Sequence, residues 1–254
     1  MPFEPQNELE KSLVRAAKDP AHRPQFYRDL VASDLFIVRE GLPPANHQRT
    51  VLPAGEKLQI RFVQWNGKNC IPVFSSLPRL EAVIREAGGY LSLNALELMK
   101  ITKGADLVLN PGSDFGKELV AQEIASLIDG SMWQPSETYV ARKAEQVMIG
   151  KPANYPRELA DALSRFFKTQ KGVKRAFLAH FFHPERDEKP HTLIAIEYGG
   201  EWDPIVAGAG IVVRNVTVPD PPVDFFPMTG RHGLEDYFRR ESQPFYQRKL
   251  FGIF

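Results

Sequence analysis

Apolar residues recur at helical spacing near the start of the chain. Leu9, Leu13, Ala16 and Ala17 follow an i, i+4, i+7, i+8 pattern, with Glu8, Glu10, Lys11 and Arg15 mostly on the other side. Asn7 stands where a helix N-cap belongs. Pro20 and Pro24 break the pattern, and Pro24 opens a second helix striped by Phe26, Tyr27, Leu30 and Val31. "DLFIV" at 34–38 then reads as a short strand. Residues 39–57 are polar and proline-rich, which predicts an exposed loop.

The period then changes from helical to alternating. "KLQIRFVQW" and "CIPVFSS" flank Asn66-Gly67, a strong local signal for a hairpin. Pro72 lacks an N–H, so its strand is expected at an edge or with an irregularity there. A helix is predicted over 77–87 with Leu77, Leu80, Val83 and Ile84 inward, followed by the strand "YLSL" and a helix over "NALELMKI" capped by Asn94. In "LVLNPGSDFGKELV", a strand over 106–109, a Pro-Gly turn and a second strand through Leu119 are predicted, then a helix over "VAQEIASLI".

Residues 130–155 interrupt this rhythm and mark a boundary, with Val147–Ile149 opening the second half. A helix over 156–170 carries Leu159, Leu163, Phe166 and Phe167 on one side. "VKRAFLAHFF" and "HTLIAIEY" read as adjacent strands joined by a charged loop. Both are apolar on two faces, as in a strand covered twice. "WDPIVAGAGIVVRNV" stays open: Pro204 favours a helix, and Gly208 and Gly210 weaken it. "VDFFPM" is a last strand and "LEDYFRR" a last helix. The pattern gives an α+β chain of two domains, 1–135 and 136–254, each a small sheet with hairpins packed by helices.

Composition narrows the function classes. The 254 residues are 43% hydrophobic and 25% charged, as in globular proteins with real cores. Lys plus Arg is 32 against 31 for Asp plus Glu, so no bulk attraction to nucleic acid or anionic membrane is expected. The single cysteine, Cys70, allows no internal disulfide. No apolar run approaches the ~20 residues of a membrane span, and the start does not read as a secretory signal. A cytoplasmic protein is the expectation.

The candidate chemistry is sparse. Gly112 and Gly116 of "NPGSDFGKE" suggest a phosphate loop, but the P-loop needs four residues between its glycines and a hydroxyl after the lysine. Three residues intervene here, and Glu118 follows Lys117. The segment either turns the chain or meets a ligand. In the second case Asn110, Ser113, Asp114, Lys117 and Glu118 are the candidates, with backbone amides and Lys117 facing a carboxylate and Asp114 or Glu118 an ammonium group. His180 and His183 fall on opposite faces of a strand, and His183 and His191 flank a loop. Solvated loop histidines are expected, with no metal and no cofactor. Ser75-Ser76 and Ser113-Asp114 have no histidine beside them, and Glu235-Asp236 reads as a solvated pair. No hydrolase motif is found, so an enzyme of unrecognised type ranks last. The tail "ESQPFYQRKLFGIF" has two readings. Phe245 and Tyr246 close the second core, or with Arg248 they form a patch for a protein partner or a second copy of the chain.

Several stretches resemble the enhanced serine sensitivity (SseB) family. "NELEKSLVRAAKDPAHRPQFYRDL", "IPVFSSLPRLEAVI" and "LVLNPGSDFGKELVAQEIASLI" are similar to its N-terminal domain. "FKTQKGVKRAFLAHFF", "HTLIAIEYGGEWDPIV", "PVDFFPM" and "QPFYQRK" are similar to its C-terminal domain. The resemblance implies a cytoplasmic bacterial protein of two α+β domains, associated with serine sensitivity and amino-acid metabolism, and carries no catalytic residues. It points to a non-catalytic binding or regulatory protein acting through protein contacts. The alternative is an amino-acid sensor using the 110–118 turn.

Overall fold

The computed structural model describes residues 3–39, 60–83, 89–134, 146–230 and 233–249. The expected loop at 39–57 falls almost wholly outside them, as do Leu250, Phe251, Ile253 and Phe254. The chain is an α+β protein of two units: Met1–Lys18 with His22–Met132, and Asp19–Ala21 with Trp133–Phe254.

In the first unit, α1 (Glu8–Lys18) packs on α2 (Arg23–Ala32). Asn7 caps α1 by accepting from the Glu10 amide at 2.9 Å. Glu10 itself departs from the wheel: it is fully buried, while Ala17 is exposed. Strands β1 (Asp34–Arg39) and β4 (Gly89–Asn94) pair antiparallel, with α3 (Leu77–Val83) between them in sequence. The second sheet runs in the order β2 (Val63–Trp65), β3 (Lys68–Val73), β5 (Asp106–Leu109), β6 (Lys117–Leu119). Asn66 and Gly67 turn the expected hairpin with φ of 48° and 78°. Asn94 caps α4 (Ala95–Ile101) as expected, and α5 (Ala121–Ile128) follows β6.

Pro72 is not on an edge strand. β3 has β5 on one side, parallel, and β2 on the other, antiparallel. The β2 pairing ends at Cys70, and Phe74 then exchanges both backbone hydrogen bonds with Phe36, at 2.8 and 2.9 Å. Alternate residues of a strand point their amides the same way, so the Pro72 nitrogen faces the gap between those partners. The irregularity is a missing rung within an interior strand.

The second unit has a five-stranded sheet in the order β10 (Val223–Met228), β9 (His191–Tyr198), β8 (Val173–Phe182), β11 (Tyr246–Gln247), with β7 (Met148–Gly150) also on β8. β11 makes "VDFFPM" the penultimate strand rather than the last. The two-faced pattern of β8 and β9 is realised literally. Ala176, Leu178, Ile194 and Ile196 join a core under α6 (Arg157–Thr169) and α7 (Asp203–Val213). Phe177, Ala179, Leu193 and Ala195 join another beneath α8 (Leu234–Arg240). α7 settles the open segment as a helix and carries the chain from β9 to its parallel neighbour β10. Gly208 is there for space: a Cβ would sit 2.4 Å from Phe166 Cζ.

Candidate functional site

The 110–118 segment is first a turn. Asn110 accepts from the Ser113 amide at 3.2 Å, with Pro111 and Gly112 central and Gly112 at φ 77°, as in a type II turn. Gly116 is required by a close approach: its Cβ would lie 2.7 Å from the Leu109 carbonyl oxygen. Both glycines therefore have structural causes.

Asn110 nevertheless sits in a larger arrangement. It is buried, with φ 51°, and its Oδ1 accepts from the Ser75 amide at 2.9 Å. Its Nδ2 donates to Ser75 Oγ at 2.8 Å. Ser75 Oγ donates to Glu10 Oε1 at 2.7 Å, and Ser76 Oγ reaches the same oxygen at 3.0 Å. Arg79 Nη2 meets Glu10 Oε2 at 3.1 Å, where the Gln6 amide also donates at 2.9 Å. Asn7 ties the junction further, its Nδ2 donating to the Ser75 carbonyl at 2.8 Å. Burial pushes the Glu10 carboxyl upward. Hydrogen bonds from Arg79, Ser75, the Gln6 amide and Ser76 together outweigh it, so the group titrates below its ordinary 4.5. A carboxylate stays charged in the interior only with such partners.

This junction opens on a cleft of about 210 Å³. Phe3, Arg79, Asn110, Pro111, Ser113 and Asp114 contribute to its wall. The Phe3 ring lies 3.8 Å from the Arg79 guanidinium carbon and meets Phe115 edge-on at 5.2 Å. Of the sequence candidates, Asn110, Ser113 and Asp114 are thus brought together. Lys117 and Glu118 are not among the lining residues, and strand alternation turns them to opposite faces of β6. Lys117 pairs with Glu123 at 3.1 Å beside Tyr27, and Glu118 with Lys68 at 3.7 Å. Sequence reasoning missed Glu10 and Arg79. The available signal was Asn7-x-x-Glu10, a capping-box spacing whose glutamate reaches back to the Gln6 amide.

The tail candidates pack against the second unit's core, Phe245 and Arg248 half-buried. Tyr246 is buried, its hydroxyl donating to the Phe167 carbonyl at 3.1 Å, and Phe245 packs on the Phe167 ring. Arg248 Nε donates to the Val173 carbonyl at 2.9 Å, and Nη2 to the carbonyls of Phe167 and Gln170. These close the C-terminal end of α6.

The histidines also differ from expectation, because His183 and His191 are buried rather than solvated. His191 Nε2 lies 2.9 Å from Asp224 and His180 Nε2 2.9 Å from Asp220. Asp187 accepts from the His183 amide at 2.7 Å. No group of three metal-ligating side chains forms among the described residues. Glu235 is likewise buried, accepting the Thr229 and Gly230 amides at 2.6 and 2.7 Å, while Asp236 is exposed. A wider groove of about 600 Å³ lies in the second unit, lined mainly by apolar residues including Val147, Met148, Ile149 and Leu234. The charged groups converge on the smaller cleft.

The architecture defines a two-domain α+β protein whose polar junction is assembled from three separated stretches of its first unit. Two family models match it in succession: the SseB protein N-terminal domain over residues 9–126 and the SseB protein C-terminal domain over residues 141–248. The chain belongs to the SseB protein family. It is 30% identical over 252 residues to Protein SseB of Escherichia coli (strain K12), spanning 98% of this chain and 95% of that protein. The same figures hold for Protein SseB of Shigella flexneri. No solved structure matches the chain. Among the described residues, no helix is long and apolar enough to cross a membrane.

Proposed function

We propose that this chain is a non-catalytic, cytoplasmic binding and regulatory protein of amino-acid metabolism. Its first unit takes an amino-acid-sized ligand in the cleft beside the 110–118 turn. The observation that carries the reading is the convergence of oppositely charged side chains, Arg79 and Asp114, on one small concavity. The serine association implied by the family resemblance makes serine the first ligand to try. Calorimetry and thermal shift with L-serine and L-cysteine test it. At ten times Kd a ligand stabilises the fold by about 1.4 kcal/mol. Neither heat nor a shift at millimolar ligand removes the reading.

Contact with a protein partner, or with a second copy of the chain, is the second reading. The second unit's groove favours it, because Met148 on its wall is 58% exposed. Removing residues 244–254 is a poor test, since Tyr246 and Arg248 hold α6 in place. Met148→Glu is the sharper one: an unchanged set of captured partners and an unchanged oligomeric state would count against that groove.

A further inference from the structure

Arg79 is fixed by more than its ion pair. Nε and Nη2 face the two oxygens of Glu10 at 3.4 and 3.1 Å, and Nη2 also donates to the Glu4 carbonyl. Phe3 covers one side of the guanidinium plane. Edge, corner and face are therefore all restrained. The remaining amino group, Nη1, has no hydrogen bond among the described residues, and Arg79 lines the cleft. Asp114 lines the same cleft, exposed and without an ion pair among the described residues, and Ser113 precedes it in the turn. Val83 and Pro111 supply apolar lining.

We propose that Arg79 is the carboxylate receptor of this cleft, that Glu10 is the residue positioning it, and that Asp114 receives an ammonium group. The ligand is then a small α-amino acid bound as its zwitterion. The proposal rests on the reading of the first unit as a ligand site and adds the groups that recognise the ligand. It also moves the carboxylate contact from Lys117, which is held by Glu123, to Arg79. With Nε and Nη2 taken by Glu10 and Glu4, the Nη1 N–H groups are the directed donors left for a carboxylate, and a guanidinium already held in place loses little freedom on binding. Glu10 offsets much of the charge of Arg79, so recognition depends on directed N–H donors rather than net attraction. A diffuse inorganic anion is poorly served by that arrangement. Size agrees: the cleft of about 210 Å³ is below the roughly 300–1,000 Å³ of drug-sized sites.

Calorimetry on the full chain with three probes tests this. L-Serine carries both charges, L-lactate lacks the ammonium and ethanolamine lacks the carboxylate. L-Serine is expected to bind roughly tenfold or more tightly than either of the others, because a site built around a polar group rejects the analogue lacking it. Arg79→Lys keeps a cation opposite Glu10, and should weaken serine roughly tenfold with the circular dichroism spectrum unchanged. Asp114→Asn, on an exposed side chain, should weaken serine and leave lactate unaltered. Glu10→Gln should lower the ratio of serine to ethanolamine affinity, which a purely structural role for Glu10 would leave constant. Serine binding that is insensitive to Arg79→Lys and Asp114→Asn overturns the proposal and leaves the ligand site standing. Absence of binding by L-serine, L-alanine and glycine alike overturns both.

Discussion

Two arginines organise the two halves of this protein, and they do so differently. Arg248 gives its donors to the carbonyls of Val173, Phe167 and Gln170, at the end of a helix. Its partners are backbone, its neighbours are aromatic, and the result is a closed core. Arg79 faces a buried carboxylate, stacks on Phe3 and lines a cleft. The first arrangement completes a fold. The second builds a charged pair into the interior, which hydrophobic residues of similar volume could replace with little loss of stability. The comparison teaches that the polar junction asks for an explanation beyond stability.

The largest effect that would break this comparison is excision of one side of the buried pair. Glu10→Ala leaves Arg79 without its carboxylate and should destabilise the protein by about 3–5 kcal/mol, read by urea denaturation. A loss within experimental error would show that the pair is not buried in solution. Arg248→Ala comes next, at about 1.5–3 kcal/mol for hydrogen bonds from a charged donor. Should it match Glu10→Ala, the contrast between the two arginines collapses.

Titration acts on the same carboxylate more gently than excision. The folded-state pKa of Glu10 lies below its ordinary 4.5, so its contribution is present above about that pH. It is lost as pH falls through the folded value. Denaturation midpoints below pH 4.5 should therefore drop more steeply for the wild type than for Glu10→Gln; parallel curves would contradict the assignment. Tyr246→Phe removes a single neutral hydrogen bond to the Phe167 carbonyl and should cost about 1 kcal/mol. Asp114→Asn, on an exposed turn, should change stability by less than about 0.5 kcal/mol, so that any change in binding is cleanly separated.

The second unit was the more legible from sequence. The β8 and β9 runs carry apolar residues on both faces because both faces are covered, and Leu159, Leu163, Phe166 and Phe167 mark one side of α6 directly. Hydrophobic periodicity records what a residue is buried against when the burial is apolar. It misreports a buried charge. Residue type assigns both Glu10 and Glu235 to solvent, and both lie inside because backbone amides and an arginine satisfy each of them. The candidate site was half visible for the same reason. Asn110, Ser113 and Asp114 lie close together around a recognisable turn, whereas Arg79 joins it only through tertiary contacts that no local spacing encodes, and Glu10 shows locally only as a capping-box glutamate. α7 was undecided because Gly208 looks like a helix breaker until Phe166 is placed against it.

The proline in β3 has a consequence for which frame the chain can fold in. A slip of β3 by one residue would flip its faces and turn the Pro72 nitrogen toward β5, where the parallel ladder needs a donor. The same slip would carry Ser75 away from Asn110 and Ser76 away from Glu10. Pro72 thus works as a frame marker. It penalises the nearest wrong alignment, and it does so three and four residues before the hydroxyls whose placement depends on the right one.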